Sequence, residues 1–301
     1  MWFLLAFLGY FLLALVFVID KLILTKSVSK PIVYTFYSTI FLFGALLAWP
    51  FGVQFLKGFD WVIAIISGLS FGFALWAFFV GLKSGEASHI SPFNGAMITI
   101  FTYVIADYFL GEKLNQMQIV GIIILVFSSL LLSFEKSRKN NGFHIGFFWA
   151  GVSGLLFAFS HVSAKYLYEV YPFLTGFVWT RVFIGFVGLF TLLSPTVRNS
   201  LKKEKKNKKE EAKSQKTMIL IVVDKFFAVL GVILVQYAIS ISSVAPVIAL
   251  SGLQFALMFV MVYLLTKFAP KVFKEYFTKR EVAVEVIAIL LVVLGSALFV
   301  L

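Results

Sequence analysis

Apolar residues run along this chain in long, nearly continuous stretches, broken by short polar segments at proline, glycine or charge. A bilayer-spanning helix needs about 20 apolar residues. Ten stretches approach that length: 2–24, 31–50, 60–82, 88–110, 117–134, 145–168, 172–194, 217–240, 244–266 and 281–301. Barrel strands would instead alternate lipid-facing and lumen-facing residues over about ten positions, and no such alternation is visible. The pattern predicts an all-α polytopic membrane protein with ten transmembrane helices. Connecting loops are short, apart from a charged one after the seventh span and a smaller one at 267–281.

The ten spans read as two copies of five. Lys21 falls near the end of the first span and Lys165 near the end of the sixth. Pro31 corresponds to Pro172 and Gly44 to Gly185, each pair 141 residues apart, while Gly95 corresponds to Gly252 at 157. The extra 16 residues are close to the length of the charged segment at 198–216, which is then an insertion in the second copy. Five is odd, so the second copy sits upside-down relative to the first. The expected units are 1–140 and 141–301, with a binding site at their interface near the bilayer midplane, as inverted repeats in transporters place it.

Composition narrows this further. Of 301 residues 61% are hydrophobic and 13% charged, against roughly 45–50% and 25% in soluble domains, and the mean hydropathy is +0.99. That balance excludes an ordinary soluble enzyme, a disordered chain and a single-anchor protein. The chain has no cysteine, which removes disulfide, thiol and thiolate-metal chemistry. Half of the net charge of +12 sits between Arg198 and Lys216, where nine Lys/Arg face three Glu. This segment reads as a flexible solvated loop beside anionic headgroups rather than a nucleic-acid site. The first 24 residues lack a basic n-region and a small-residue cleavage motif, so the first span is expected to be retained. About 20 Lys/Arg fall on the side of loops 1–2, 3–4, 5–6, 7–8 and 9–10, against Lys57, Lys113 and Lys165 on the other. The positive-inside rule then places both termini outside the cytoplasm of a cell (inner or plasma) membrane.

The segment GLKSGEASHISPFNGAMITIFTYVIADYFLGEKLNQMQIVGIIILVFSSLLL (81–132) resembles spans 3–5 of an EamA repeat in the drug/metabolite transporter superfamily. The similarity includes the small-residue entry to the fourth span and the Gly111-Glu112-Lys113 turn. IGFFWAGVSGLLFAFSHVSAKYLY (145–168) resembles the opening helix of a second repeat, whereas KFAPKVFKEYFTKRE (267–281) departs from the Gly-Glu turn. The resemblance implies ten helices around a central cavity and alternating-access transport of a small metabolite. It implies no particular substrate.

An ionisable residue at the bilayer centre costs at least about 2.5–3.5 kcal/mol, so each one requires a reason. Arg181 lies nine residues into its span, about 14 Å deep at 1.5 Å per residue. It is either a cavity-facing cation for an anionic substrate group or one half of an ion pair, with Asp224 on the next span as the natural partner. Asp20-Lys21 and Asp224-Lys225 are adjacent opposite charges whose side chains leave the helix about 100° apart. Neither pair is expected to be a self-contained bridge, and Asp20 and Lys21 are expected to snorkel. Asp224 is a candidate proton carrier. His161 and Lys165 share a helix face as an outer gate or an interfacial cap. Asn94 and Gln254 occupy equivalent places in the two copies, beside Gly95 and beside Ser251 and Gly252. With Gln236, His89, Trp76, Tyr103 and Trp179 they complete the candidate substrate-binding set, while Asp20, Lys21, His161, Lys165, Asp224 and Lys225 form the coupling or gating set. Tyr34 and Tyr237 are further aromatic candidates for the cavity wall.

No HExxH, GxSxG, paired-Asp or P-loop motif occurs, and His89, His144 and His161 are widely separated, so neither enzyme chemistry nor a metal or cofactor is expected. The charges Lys21, Lys165, Arg181 and Lys225 against Asp20 and Asp224 sum to +2, which favours an anionic or zwitterionic metabolite of the amino acid or sugar-phosphate class. Two alternatives stay open: a non-transporting scaffold or intramembrane enzyme, and a translocator of lipid-linked headgroups. The partners expected are a small substrate and lipid, with a homodimer allowed.

Overall fold

Each predicted span forms a helix, because only an internally hydrogen-bonded backbone is tolerated in lipid. The computed structural model describes residues 1–26, 30–85, 87–133, 145–201, 208–268 and 279–299, and among them every regular element is helical. In chain order these are α1 Trp2–Lys26, α2 Pro31–Ile40, α3 Asp60–Ser84, α4 Ala87–Leu110, α5 Gln116–Ser133, α6 Ile145–Val170 and α7 Phe173–Thr191. There follow α8 Pro195–Leu201, α9 Lys208–Ser240, α10 Val244–Ala249, α11 Ser251–Phe268 and α12 Lys279–Ala297. Among the described residues nine stretches are long and apolar enough to cross a membrane, and Val282–Ala297 is a shorter tenth. Large apolar side chains such as Leu4, Leu47, Phe55, Phe109 and Leu294 stand exposed on the outside of the bundle, as a lipid-facing surface requires.

Two spans are broken. After Ile40 the second tightens into 3-10 geometry over Phe41–Phe51, none of it buried, and ends at Gly52 with φ 94°. Pro50 lacks the N–H that a regular helix uses there, and only glycine reaches that φ without strain. The ninth span is split into α10 and α11 at Leu250.

The expected charged loop is corrected in part. Residues 202–207 lie outside the described set, but α9 already begins at Lys208, and α8 covers Pro195–Leu201. The segment KKEEAKSQK is rich in strong helix formers, so it propagates helix once the span behind it is nucleated.

Close helix approach depends on missing side chains. A Cβ on Gly68 of α3 would lie 2.3 Å from Phe183 Cβ of α7, and one on Gly154 of α6 would lie 2.6 Å from Met97 Cβ of α4. Buried hydroxyls stitch the same faces: Ser67 Oγ donates to Ser160 O and Ser153 Oγ to Ala74 O, each at 2.9 Å. α5 packs against α12, where Ser128 Oγ donates to Ala288 O at 2.9 Å. Together these two helices leave α1–α4, α6, α7 and α9–α11 to surround the centre.

Contacts identify two ends. At the end carrying both termini, the Glu112 carboxylate accepts the Val244 N–H through both oxygens (2.9 and 3.1 Å), and Tyr171 Oη donates to Asp60 (2.7 Å). At the opposite, basic end, Val33 and Phe36 of α2 pack on Val197 of α8.

Candidate functional site

A cavity of about 230 Å³ lies where these helices converge, lined by residues from α1–α4, α6, α7 and α9–α11 and from the 3-10 segment that continues α2. Eight phenylalanines stand in its wall: Phe17, Phe41, Phe71, Phe78, Phe79, Phe157, Phe177 and Phe255. The polar lining consists of Tyr10, Asp20, Ser38, Asn94, His161, Arg181, Lys225, Gln236, Ser251 and Gln254.

Arg181 projects from α7 and is 2% exposed. Its guanidinium carbon stands 5.1 Å from the ring centroids of both Phe71 and Phe177, and its Nε makes no hydrogen bond. Among the described residues no carboxylate pairs with it; the nearby polar groups are the Tyr168 hydroxyl and His161. The expected Arg181–Asp224 pair does not form. A desolvated cation over an aromatic face gains about 2 kcal/mol, so two rings offset much of the cost of placing this charge in the membrane.

Asp224 binds elsewhere. Its side chain is fully buried, and Lys225 Nζ approaches its Oδ2 to 2.7 Å and Asp20 Oδ1 to 3.3 Å. The adjacent bridge excluded by the 100° argument exists because the four-carbon lysine stem curls back over its own helix. Tyr34 Oη donates to Asp20, and Lys225 Nζ lies 3.2 Å from that hydroxyl and 4.7 Å from its ring centroid. Asp20 is therefore not snorkelling: it is 7% exposed and tied to a residue 205 positions away. The cluster joins α1, α2 and α9. Counting both carboxylates as ionised, it carries one negative charge. The side chain of Lys21 lies outside the described residues.

Three of the four carboxamide and histidine groups at the centre are engaged. Asn94 Nδ2 donates to Ala150 O (2.8 Å). Gln236 Oε1 accepts from Tyr168 Oη (2.8 Å), and its Nε2 lies 3.2 Å from His161 Nδ1. Since an amide nitrogen only donates, His161 Nδ1 accepts. Gln254 is 5% exposed and makes no hydrogen bond among the described residues. Its carboxamide is left available to the cavity.

The remaining sequence candidates lie outside the cavity wall. Lys165 pairs with Glu169 (3.3 Å), which removes its charge from the expected surplus. Trp179 donates from Nε1 to Gln54 O (2.8 Å) and packs on Trp49, Phe55 and Trp61. Trp76 stands edge-to-face with Trp149, with centroids 5.5 Å apart. Tyr103 packs on the central core, His89 Nδ1 lies 3.2 Å from Leu132 O, and Tyr237 stands edge-to-face with Phe173. Tyr34 reaches the acidic cluster rather than the wall. Tyr168 was missed, although it falls seven residues after His161 on the same helix face. The phenylalanine wall was missed too, because nothing in the sequence separates those rings from the rest of the 37.

Comparison with known proteins shows what the chain is similar to. Residues 1–134 match the model of the EamA-like transporter family. A Sinorhizobium sp protein named as an uncharacterized transporter in the cobO 3' region is 33% identical over 78 residues. The match covers 26% of this chain and 55% of the relative, so the chain spans about half the length of that relative. A solved crystal structure with 14% sequence identity superposes at TM-score 0.67 over 99% of this chain and 97% of its own, which shows a shared fold.

Proposed function

We propose that this EamA-like protein is a secondary transporter of a small anionic or zwitterionic metabolite, moved by alternating access between units 1–140 and 141–301. The observation that carries this reading is the uncompensated Arg181 guanidinium in a membrane-embedded cavity that draws its wall from both halves. A planar guanidinium matches a carboxylate through two parallel hydrogen bonds, and the free Gln254 carboxamide offers a further donor and acceptor. With Lys165 offset by Glu169 and Lys225 by two aspartates, the anion preference rests on Arg181 rather than on a summed surplus. The terminal end faces away from the cytoplasm in this reading, in keeping with the basic residues at the other end.

The test is uptake into proteoliposomes of a panel of radiolabelled amino and organic acids, with Arg181→Ala reconstituted in parallel. The expected outcome is uptake of at least one acid by wild type and a fall of tenfold or more in the variant. Equal uptake by both would remove Arg181 from the binding site and the anion class with it.

A further inference from the structure

Resting on that reading, we infer that the ligand is a monoanion with an apolar, ring-sized body, and not a sugar phosphate or another polyhydroxylated anion. Two features of the cavity carry this. The first is its charge balance. Arg181 is the one lining cation without a carboxylate partner among the described residues, and the Lys225 charge is held by Asp20 and Asp224. A phosphate dianion needs a second free cation. One carboxylate is what one guanidinium matches.

The second feature is the scarcity of free hydrogen-bonding groups. A sugar presents several hydroxyls, each needing a partner once removed from water. Asn94 Nδ2 is spent on Ala150, and Gln236 on Tyr168 and His161. Gln254, the Asn94 carboxamide oxygen and the Ser251 and Ser38 hydroxyls are what remain, set among eight phenyl rings. Those rings suit an aromatic or branched apolar body, which also gains from edge and face contacts. A cavity volume of about 230 Å³ leaves room for a ring-bearing body.

The experiment measures thermal stabilisation of the detergent-purified full chain by four probes: phenylacetate, acetate, glucose 6-phosphate and the uncharged isostere 2-phenylethanol. Arg181→Gln is run alongside wild type, and its circular dichroism spectrum checks that it folds. The expected result is a dose-dependent rise with phenylacetate, an apparent affinity roughly tenfold or more above that of acetate, no shift with glucose 6-phosphate, and loss of the phenylacetate shift in Arg181→Gln. A shift with glucose 6-phosphate or acetate equal to that with phenylacetate, and lost in Arg181→Gln, overturns the apolar-body inference while leaving the Arg181-anchored anion intact. Equal shifts from 2-phenylethanol and phenylacetate, unchanged in Arg181→Gln, overturn the anion reading itself. A flat response to all four from folded protein overturns both.

Discussion

Replacing Lys225 by Met deletes the cation shared by two buried carboxylates while retaining the apolar stem. Asp224 is fully buried, and neither of its oxygens has a hydrogen bond, so the 2.7 Å approach of Lys225 Nζ is its compensation. Asp20 keeps the Tyr34 hydroxyl and loses only one of two partners. Breaking a buried ion pair by removing one member costs about 3–5 kcal/mol. A second route gives the same size: the orphaned carboxylate escapes by taking up a proton, and neutralising an ordinary carboxyl at pH 7 costs about three units at 1.36 kcal/mol each, or about 4 kcal/mol. At about 2 °C per kcal/mol for a larger chain, Lys225→Met lowers the melting temperature by about 8 °C at pH 7. Adding Asp224→Asn to Lys225→Met recovers most of the loss, because the group left without a partner is then neutral. Double-mutant analysis by differential scanning fluorimetry in detergent reads both numbers. A Lys225→Met protein as stable as wild type would show that the cluster is solvated or loosely held, and the electrostatic account of this end would fail.

Glu112 lies in the Gly111-Glu112-Lys113 turn, outside the membrane-spanning segments, and burial pushes its carboxyl above the ordinary range. The Val244 and Ala245 amides and the nearby Lys165 pull it back down, while Glu169 raises it. A group with a raised value in the folded protein binds protons there preferentially, so its contribution to stability is full at pH below the ordinary carboxylate range and is lost as pH rises through the raised value. Hydrogen exchange across 244–249, corrected for intrinsic rates, is therefore slower relative to reference peptides at pH 4.5 than at pH 7.5, and Glu112→Gln abolishes the pH difference. Gly68→Ala sets a Cβ 2.3 Å from Phe183 Cβ and 2.8 Å from the backbone N of Ile184, an overpacking that costs about 1–3 kcal/mol and lowers the melting temperature. Gly44→Ala meets nothing within 4 Å and leaves it unchanged or raised.

The span pattern was legible because a helix in lipid must be long and apolar, and that constraint is local. Arg181, Asn94, Gln236 and Gln254 were legible for the same reason: a lone polar group inside an apolar span needs a partner or a cavity, and all four reach the cavity wall. Trp76, Tyr103 and Trp179 were not separable, since an aromatic ring serves packing and the bilayer interface as well as it serves a binding site. The Asp20–Lys225 bridge joins residues 205 apart, and no local periodicity encodes such a pairing. The missed start of α9 has a different cause: charge density was read as solvation, whereas Lys, Glu and Ala hold a helix in water as readily as in protein.

The contrast among the buried cations of this one chain bears most directly on the role of Arg181. Lys165 and Lys225 each sit within 3.3 Å of a carboxylate, the arrangement that structure alone demands when a charge is buried. Arg181 is buried more completely than Lys165, at 2% against 7% exposure, yet faces the cavity with ring faces in place of a carboxylate. A guanidinium placed only to hold helices together would gain more from a carboxylate on a neighbouring helix, and α9 carries one in Asp224. That carboxylate is occupied by Lys225, and among the described residues no carboxylate pairs with the arginine, whose Nε has no hydrogen-bond partner. The two rings at 5.1 Å hold it beside the cavity at an energy comparable with its cost of insertion, and the carboxylate ligand proposed above would add bidentate hydrogen bonds without displacing a built-in counterion.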